Sequence, residues 1–283
     1  MAPAKTTIHV VPTLHQYHAA APGYGFDALK RVLDDLEQMR ARLLALQGLE
    51  AGRLRLAVAT SAKFFAPRLL GHFLQQHPAI EPALTVTQRD VLLQRMRDNL
   101  DDLYVFSVPP SGPDLAVEAF MPNELVAIAA HDHPLARRRG AISVAELCRY
   151  PFLQRELGSG TRTLIERFFD EQGIAVQPSM ELGSNFAIEQ AVATGVGVSI
   201  VSRTMLDGLH LGDEIRVLNV AGLPLRGHWY LVYLKTKAEL PVVQRFRAFL
   251  REFPHDAPGL GVHSSISARR AGGPAARRTK GSA

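Results

Sequence analysis

The sequence predicts an α/β fold of two lobes with mixed, mostly parallel sheets, preceded by one long amphipathic helix. Three observations predict it. Short apolar strands alternate with helices of about 10 to 15 residues along most of the chain, the pattern of βαβ units. The alternation breaks at an exposed turn, HDHPLARRRG over 131–140, and then resumes as a second series. Ahead of both series, Leu29, Val32, Leu36, Met39, Leu43 and Leu46 follow a 3, 4, 3, 4, 3 spacing that puts all six along one seam of a helix.

That helix is expected over 28–48, ended by Gly48. Arg31, Asp34, Asp35, Glu37, Gln38, Arg40 and Arg42 fill its other faces. A narrow apolar stripe with a solvated remainder is what a two-stranded coiled coil requires, so these six residues are the expected dimerisation seam. Residues 1–27 show no periodicity and form an unassigned segment.

The first lobe is expected over 53–126, with a return at 227–253. Leu54, Leu56 and Val58 alternate as a strand that ends at Thr60 and Ser61, and a helix follows from Ala62 to Gln76, closed by His77 and Pro78. Leu84 to Thr87 reads as a strand, Val91 to Asn99 as a helix, Leu103 to Phe106 as a strand and Leu125 to Ala130 as another. The second lobe, over 127–226, repeats the grammar. Its expected helices are Val144 to Leu147, Arg162 to Gln172 and Asn185 to Thr194, and its strands Phe152 to Arg155, Ser179 to Leu182, Val196 to Val201 and Arg216 to Val220. The chain then returns through a strand, Trp229 to Leu234, and a helix, Leu240 to Phe253. From 254 to 283 the composition of Gly, Ser, Ala and Arg predicts a disordered basic tail.

Charge and cysteine content narrow the function classes. Between Gly261 and Ala283 lie Arg269, Arg270, Arg277, Arg278 and Lys280 and no acid, so this tail accounts for the whole formal net charge of +5. The body is neutral overall, and DNA affinity is expected only from a local patch or the tail. The single cysteine, Cys148, excludes an internal disulfide and a cysteine-based metal cluster, and is expected as a small buried hydrophobe in a helix. No apolar run is long enough to span a bilayer, and the first residues lack a signal-peptide core, so the expected location is the cytoplasm and no membrane partner is expected.

Three places join a strand to a helix through small hydroxyl or amide residues. They are Thr60 and Ser61; Ser159, Gly160 and Thr161 after Gly158; and Ser184 and Asn185 after Gly183. Free N–H groups at a helix start, a capping side chain and the positive end of the helix dipole favour an anion there. In an open α/β sheet such turns lie at the carboxyl ends of the strands, where ligands bind. Taken singly, Thr161 and Ser184 read as ordinary N-caps. Taken as a set split between two lobes, the three turns predict a cleft. Lys63 and Arg162 sit on first turns, where a cation opposes the dipole, and their presence is easier to understand with an anion nearby.

Other chemistry is not indicated. His131 and His133 lack a second ligand cluster, Gly158-Ser159-Gly160 lacks the nucleophile-elbow spacing, and Asp34-Asp35 and Asp101-Asp102 read as solvated or helix-end charges. No catalytic residue, metal ligand or cofactor is assigned.

The run ALKRVLDDLEQMRARLLALQGLEAGRLRLAVATSAKFFAPRLLGHFLQQHP resembles the linker helix and first βα unit of LysR-type bacterial transcriptional regulators. NELVAIAAHDHPLA, PFLQRELGSGTRTLIERFF and MELGSNFAIEQAVATGVGVSIVSR are similar to successive elements of that family's effector-binding domain, extending the likeness over about Leu29 to Phe253. NLDDLYVFSVPP, SAKFFAP and LGSGTR resemble the subgroup that activates RubisCO and carbon dioxide fixation operons.

The resemblance implies a fold like the type 2 periplasmic binding proteins, with two crossover strands and an effector cleft. Thr60, Ser61, Ser159, Thr161 and Asn185 match loops that contact the effector in the family. A phosphorylated metabolite or nicotinamide nucleotide is the implied effector, and a dimer or tetramer the implied assembly. The family places a winged helix-turn-helix of about 60 residues before the linker helix. Here 27 residues without that signature precede it, so a missing or truncated head is expected, and DNA binding only where a head is supplied. The alternatives are a stand-alone solute receptor of the periplasmic type, which predicts an export signal, and an enzyme on the same architecture, which needs an acid/base pair or nucleophile in the cleft.

Overall fold

The computed structural model describes residues 52–208 and 214–254, together with Val32, Leu36 and Met39. These three are helical and 53, 46 and 54 % exposed. The segment 1–27, the seam residues Leu29, Leu43 and Leu46, and the basic tail from 255 lie outside the described residues.

The first lobe opens on β1 (Gly52–Ala59), a 3-10 turn over Thr60–Phe64, and helix α1 (Ala66–Gln76). The single helix expected from Ala62 is therefore two pieces. Pro67 explains the division, because its ring clashes with the carbonyl four residues back, at Lys63, yet suits the first turn of a helix. Next come β2 (Ile80–Thr87), α2 (Arg89–Arg97) and β3 (Leu103–Phe106), with β1 lying between β2 and β3 and parallel to both.

Strand β4 (Leu115–Ala130) is 16 residues long and carries the chain into the second lobe. Only its last six residues were legible as a strand, because Glu118, Pro122 and Glu124 interrupt the apolar pattern upstream. The second lobe contains α3 (Val144–Leu147), β5 (Leu153–Arg155), α4 (Gly160–Glu171), β6 (Met180–Leu182), α5 (Asn185–Ala193), β7 (Ser199–Ser202), α6 (Arg203–Gly208) and β8 (Ile215–Val217). Strand β9 (Leu225–Leu234) leads back and α7 (Pro241–Glu252) ends the fold. Several further boundaries differ from expectation, among them the start of β2, at Ile80 rather than Leu84. Val196 is 43 % exposed and precedes β7, β8 ends at Val217 while Val220 makes a lone bridge to Ile142, and β9 begins four residues before Trp229. Cys148 is the half-buried C-cap of α3, and burial pushes its thiol pKa up.

The large sheet runs β2-β1-β3-β9-β4-β7, with β8 also on β4, and β5 and β6 form a separate pair. Among the strands, parallel pairing is that of the βαβ units, β1 with β2, β1 with β3, and β5 with β6, with lone parallel bridges at Ile142–Val220 and Phe152–Val198. The pairings of β9 with β3 and of β4 with β7, β8 and β9 are antiparallel, so "mostly parallel" describes the units but not the crossover. The β4–β9 ladder runs from Leu115 opposite Leu234 to Leu125 opposite Leu225, with its register shifting between Ala119 and Met121. Such a bulge sharpens the local twist.

Apolar side chains cover both faces of the central strands. On β1, Leu54, Leu56 and Val58 join Phe65, Phe73, Trp229 and Phe246 in one cluster, while Ala57 and Ala59 face Leu92, Tyr104 and Phe106 in another. On β4, Leu125, Ala127 and Ala129 face Phe152, Phe168 and Phe169, and Val126 and Ile128 face Ile188, Val192 and Met205. Near-continuous apolar runs are the consequence of a strand buried on both sides. Phe64, from the first lobe's 3-10 turn, packs against the Ile188 cluster of the second. This contact sets Thr60–Phe64 at the junction of the lobes.

Candidate functional site

The site is built around Arg155, the last residue of β5, which is 2 % exposed. Its Nη1 donates to Asn185 Oδ1 at the start of α5. Its Nη2 donates to Thr60 Oγ1 at 3.1 Å, across the junction of the lobes. Nε and Nη2 also fork onto the two oxygens of Glu156, each at 2.7 Å. One guanidinium therefore joins two of the three predicted helix starts. A buried guanidinium with planar, fixed donors is suited to a carboxylate or phosphate.

The third start adjoins it. Gly158 has φ +81, and a side chain there would meet the Asp90 carboxylate of α2 at 3.2 Å. A Cβ on Gly160 would lie 2.6 Å from Ser107 Oγ, just past β3. This loop thus docks its backbone on the first lobe, where only glycine permits so close an approach. Ser61, Ser159, Thr161 and Asn185 are all buried, at 4, 8, 3 and 4 % exposed. Four small polar side chains are thus buried at the helix starts that flank the junction, one of them, Asn185, on the Arg155 guanidinium.

The local chemistry differs at the three starts. Ser184 is a true N-cap, accepting from Ala187 N at 3.1 Å. Ser159 occupies the N-cap position of α4 but makes no side-chain cap, and Thr161 lies inside the helix, so the N-cap reading of Thr161 is corrected. Thr60 and Ser61 open a 3-10 turn rather than an α-helix, which removes the dipole argument there and leaves the hydroxyls.

The two predicted cations are also placed differently from expectation. Arg162 Nε donates to Glu166 at 2.6 Å, and its Nη1 donates to Glu181 at 2.6 Å and to the Arg155 carbonyl at 3.0 Å. Two carboxylates and a carbonyl account for it without an anion, and its part is to brace the end of β5. The Lys63 ammonium lies 5.0 Å from the Phe64 ring centroid and acts on Glu189. Glu189 is fully buried on α5, and neither of its carboxylate oxygens has a hydrogen-bond partner. Burial pushes its carboxyl pKa up to about 7, against the opposing pull of Lys63.

Sequence reasoning missed Arg155, Glu156 and Glu189. The available signal for Arg155 was a charged residue closing a buried strand, at the sheet end where ligands bind. Arg89, at the start of α2, was also missed; its Nη2 donates to the Val108 carbonyl at 3.4 Å and its buried Nε has no partner. Deeper in the junction Ser202 Oγ donates to Asn123 Oδ1 at 2.6 Å and lies 2.7 Å from Thr204 Oγ1. No group of residues suited to a metal occurs among the described residues. A cavity of about 130 Å³ lies elsewhere, lined by Glu118, Phe120, Leu231, Arg247 and Arg251 among others. Its two arginines are paired with Glu118.

Two α/β lobes joined by antiparallel crossover strands, with buried polar groups at their junction, define a two-lobed ligand-receptor domain. The chain belongs to the LysR family: the family's LysR substrate binding domain matches residues 47–254. It is 43 % identical over 230 residues to the HTH-type transcriptional activator CmpR of Synechocystis, covering 81 % of this chain and 75 % of that one. It is 39 % identical to the RuBisCO operon transcriptional regulator of Acidithiobacillus ferrooxidans, covering 77 % of this chain and 71 % of that one. Among solved structures, the Synechocystis CcmR regulatory domain in complex with 2-PG superposes with a TM-score of 0.66 at 42 % identity, over 70 % of this chain and 95 % of that one. The QuiR effector-binding domain, at 22 % identity and a TM-score of 0.62, shares the fold. The described part of this chain is thus the effector-binding domain of a LysR-type regulator, in a family of regulators rather than enzymes. Among the described residues no helix is long and apolar enough to cross a membrane.

Proposed function

We propose that this chain senses a small phosphorylated acid in the cleft between its lobes and thereby controls transcription of carbon fixation genes in the bacterial cytoplasm. The observation that carries the reading is the buried Arg155, tied at once to Thr60 of the first lobe and Asn185 of the second. An anion that engages this guanidinium changes what holds the lobes together, so its binding energy favours one lobe arrangement over another. The likeness to a regulatory domain solved with 2-PG supports a compact phosphorylated effector over a nicotinamide nucleotide, and the likeness to RuBisCO operon regulators supports the target genes.

In this reading Thr60, Ser61, Ser159, Gly160, Thr161 and Asn185 line the effector, while Ser184 caps α5 and Arg162 braces Arg155. The lobes divide near 126 and 227. Val32, Leu36 and Met39, each about half exposed, belong to a seam that is covered by a second copy of the chain. The linker helix then passes the lobe arrangement to a DNA-binding head, which must supply the DNA contact because the body carries no net charge.

Calorimetric titration with 2-PG, a set of sugar phosphates and NADPH tests the effector. Saturable binding of 2-PG, lost in Arg155→Gln, is the expected result; no heat with any of the set removes the reading. Light scattering on Leu36→Asp tests the seam, with a smaller assembly expected than for the unaltered chain.

A further inference from the structure

The fork between Arg155 and Glu156 carries a further step. Successive side chains on a strand point to opposite faces, so neighbours do not ordinarily meet. Here β5 ends at Arg155, and the chain turns so that Glu156 can reach back to its neighbour. Nε to Oε2 and Nη2 to Oε1 are both 2.7 Å, the two parallel bonds by which a guanidinium recognises a free carboxylate or phosphate. The remaining donor, Nη1, is held by Asn185, and Nη2 is shared with Thr60. The Arg155 side chain is 2 % exposed and that of Glu156 20 %, so the carboxylate approaches the fork from the solvent side.

We infer that Glu156 holds the place of the effector's acidic group, as an internal anion on the Arg155 fork that an incoming phosphate or carboxylate must displace. The inference rests on the reading of this cleft as an anion site. Two consequences bear on specificity. A ligand group must offer two oxygens and negative charge to replace a carboxylate, so alcohols, amides and uncharged sugars do not open the fork. The affinity of the cleft is also set by a competition within the chain. Because Glu156 is tethered next to Arg155, the fork is never free, and weak or scarce anions do not trip the switch. The displaced carboxylate has a short route to water, whereas Arg155 stays buried and keeps Thr60 and Asn185 for the ligand to share.

Titration of the unaltered chain, Glu156→Gln and Glu156→Ala with inorganic phosphate and with 2-PG tests the inference, with melting curves to establish that each variant is folded. Removing the competing charge-assisted fork is expected to tighten both ligands about tenfold or more in both variants. Unchanged or weaker binding in folded variants overturns the role of Glu156 and leaves the effector reading standing if the unaltered chain binds 2-PG. Absence of binding in all three proteins overturns both. Should Glu156→Gln fail to fold, Glu156→Ala, which leaves no side-chain oxygen at all, decides the question by the same measure.

Discussion

Arg155 Nη2 and Thr60 Oγ1 lie 3.1 Å apart across the junction of the lobes, joining residues 95 positions apart in the chain. The bond gives the first lobe a direct hold on the buried guanidinium that ends β5 of the second lobe. Thr60→Val keeps the shape of the side chain and removes the acceptor. It is expected to cost about 1 kcal/mol in urea denaturation, since Arg155 keeps its other partners, and to weaken 2-PG about tenfold. An unaltered affinity in calorimetry would sink the idea that Thr60 shares the ligand.

Glu189 predicts an unusual pH dependence of stability. Its folded pKa of about 7 stands above the ordinary value of 4.5, so the folded protein holds this proton more tightly than the unfolded chain. Stability from this group is therefore greatest below pH 4.5, declines as pH rises towards 7, and is level beyond. The span is on the order of 3 kcal/mol at most. Glu189→Gln, neutral throughout, is expected to be more stable than the unaltered chain at pH 8 and little different at pH 5. Urea midpoints at the two pH values check both the sign and the size.

Lys237 provides a control away from the cleft. It is buried beneath the opposite end of β3, donating to the Asp101 carbonyl at 2.8 Å and to Asp102 Oδ1 at 3.3 Å. Asp102 Oδ2 in turn accepts from Arg55 N at 2.9 Å. Lys237→Met strands a buried carboxylate, with an expected loss of about 3 kcal/mol. If the folded fraction of this variant binds 2-PG with altered affinity, the Lys237 network reaches the cleft.

Gly160 and Ser107 form a pair that a double-mutant cycle can resolve. Alanine at the first turn of α4 favours the helix, so any loss in Gly160→Ala reports the clash with Ser107 Oγ, predicted 2.6 Å from the new Cβ. A loss of about 1 to 2 kcal/mol is expected, recovered when Ser107→Ala removes the oxygen. Additive effects in thermal melts would mean that the loop relaxes elsewhere.

The extent to which the site was legible follows from the range of each interaction. Ser184 was readable as a cap because its bond to Ala187 spans three residues. Arg162 was readable as an oddity, a cation on a first turn; its partner Glu166 lies one helical turn on, but the other, Glu181, lies on strand β6. Glu189 looked like any polar helix residue. Its burial depends on how Lys63 and Phe64 of one lobe settle on the helix of the other. The upstream half of β4 was hidden for the same reason, since its strand form is imposed by β9, with Leu115 meeting Leu234 at the far end of the chain.

The sequence by itself determined the alternating units, the family, and the small polar residues at Thr60, Ser159 and Asn185. Periodicity, turn chemistry and capping act over a few residues, and the order of amino acids specifies them directly. Only the tertiary structure decided that the crossover strands pair antiparallel, that Arg162 reaches Glu181 and the Arg155 carbonyl, and that Arg155 stands between the lobes with Glu156 on its fork. Those outcomes depend on which surfaces dock, and a guanidinium at the end of a strand acquires its meaning from the partners that docking brings within 3 Å or so.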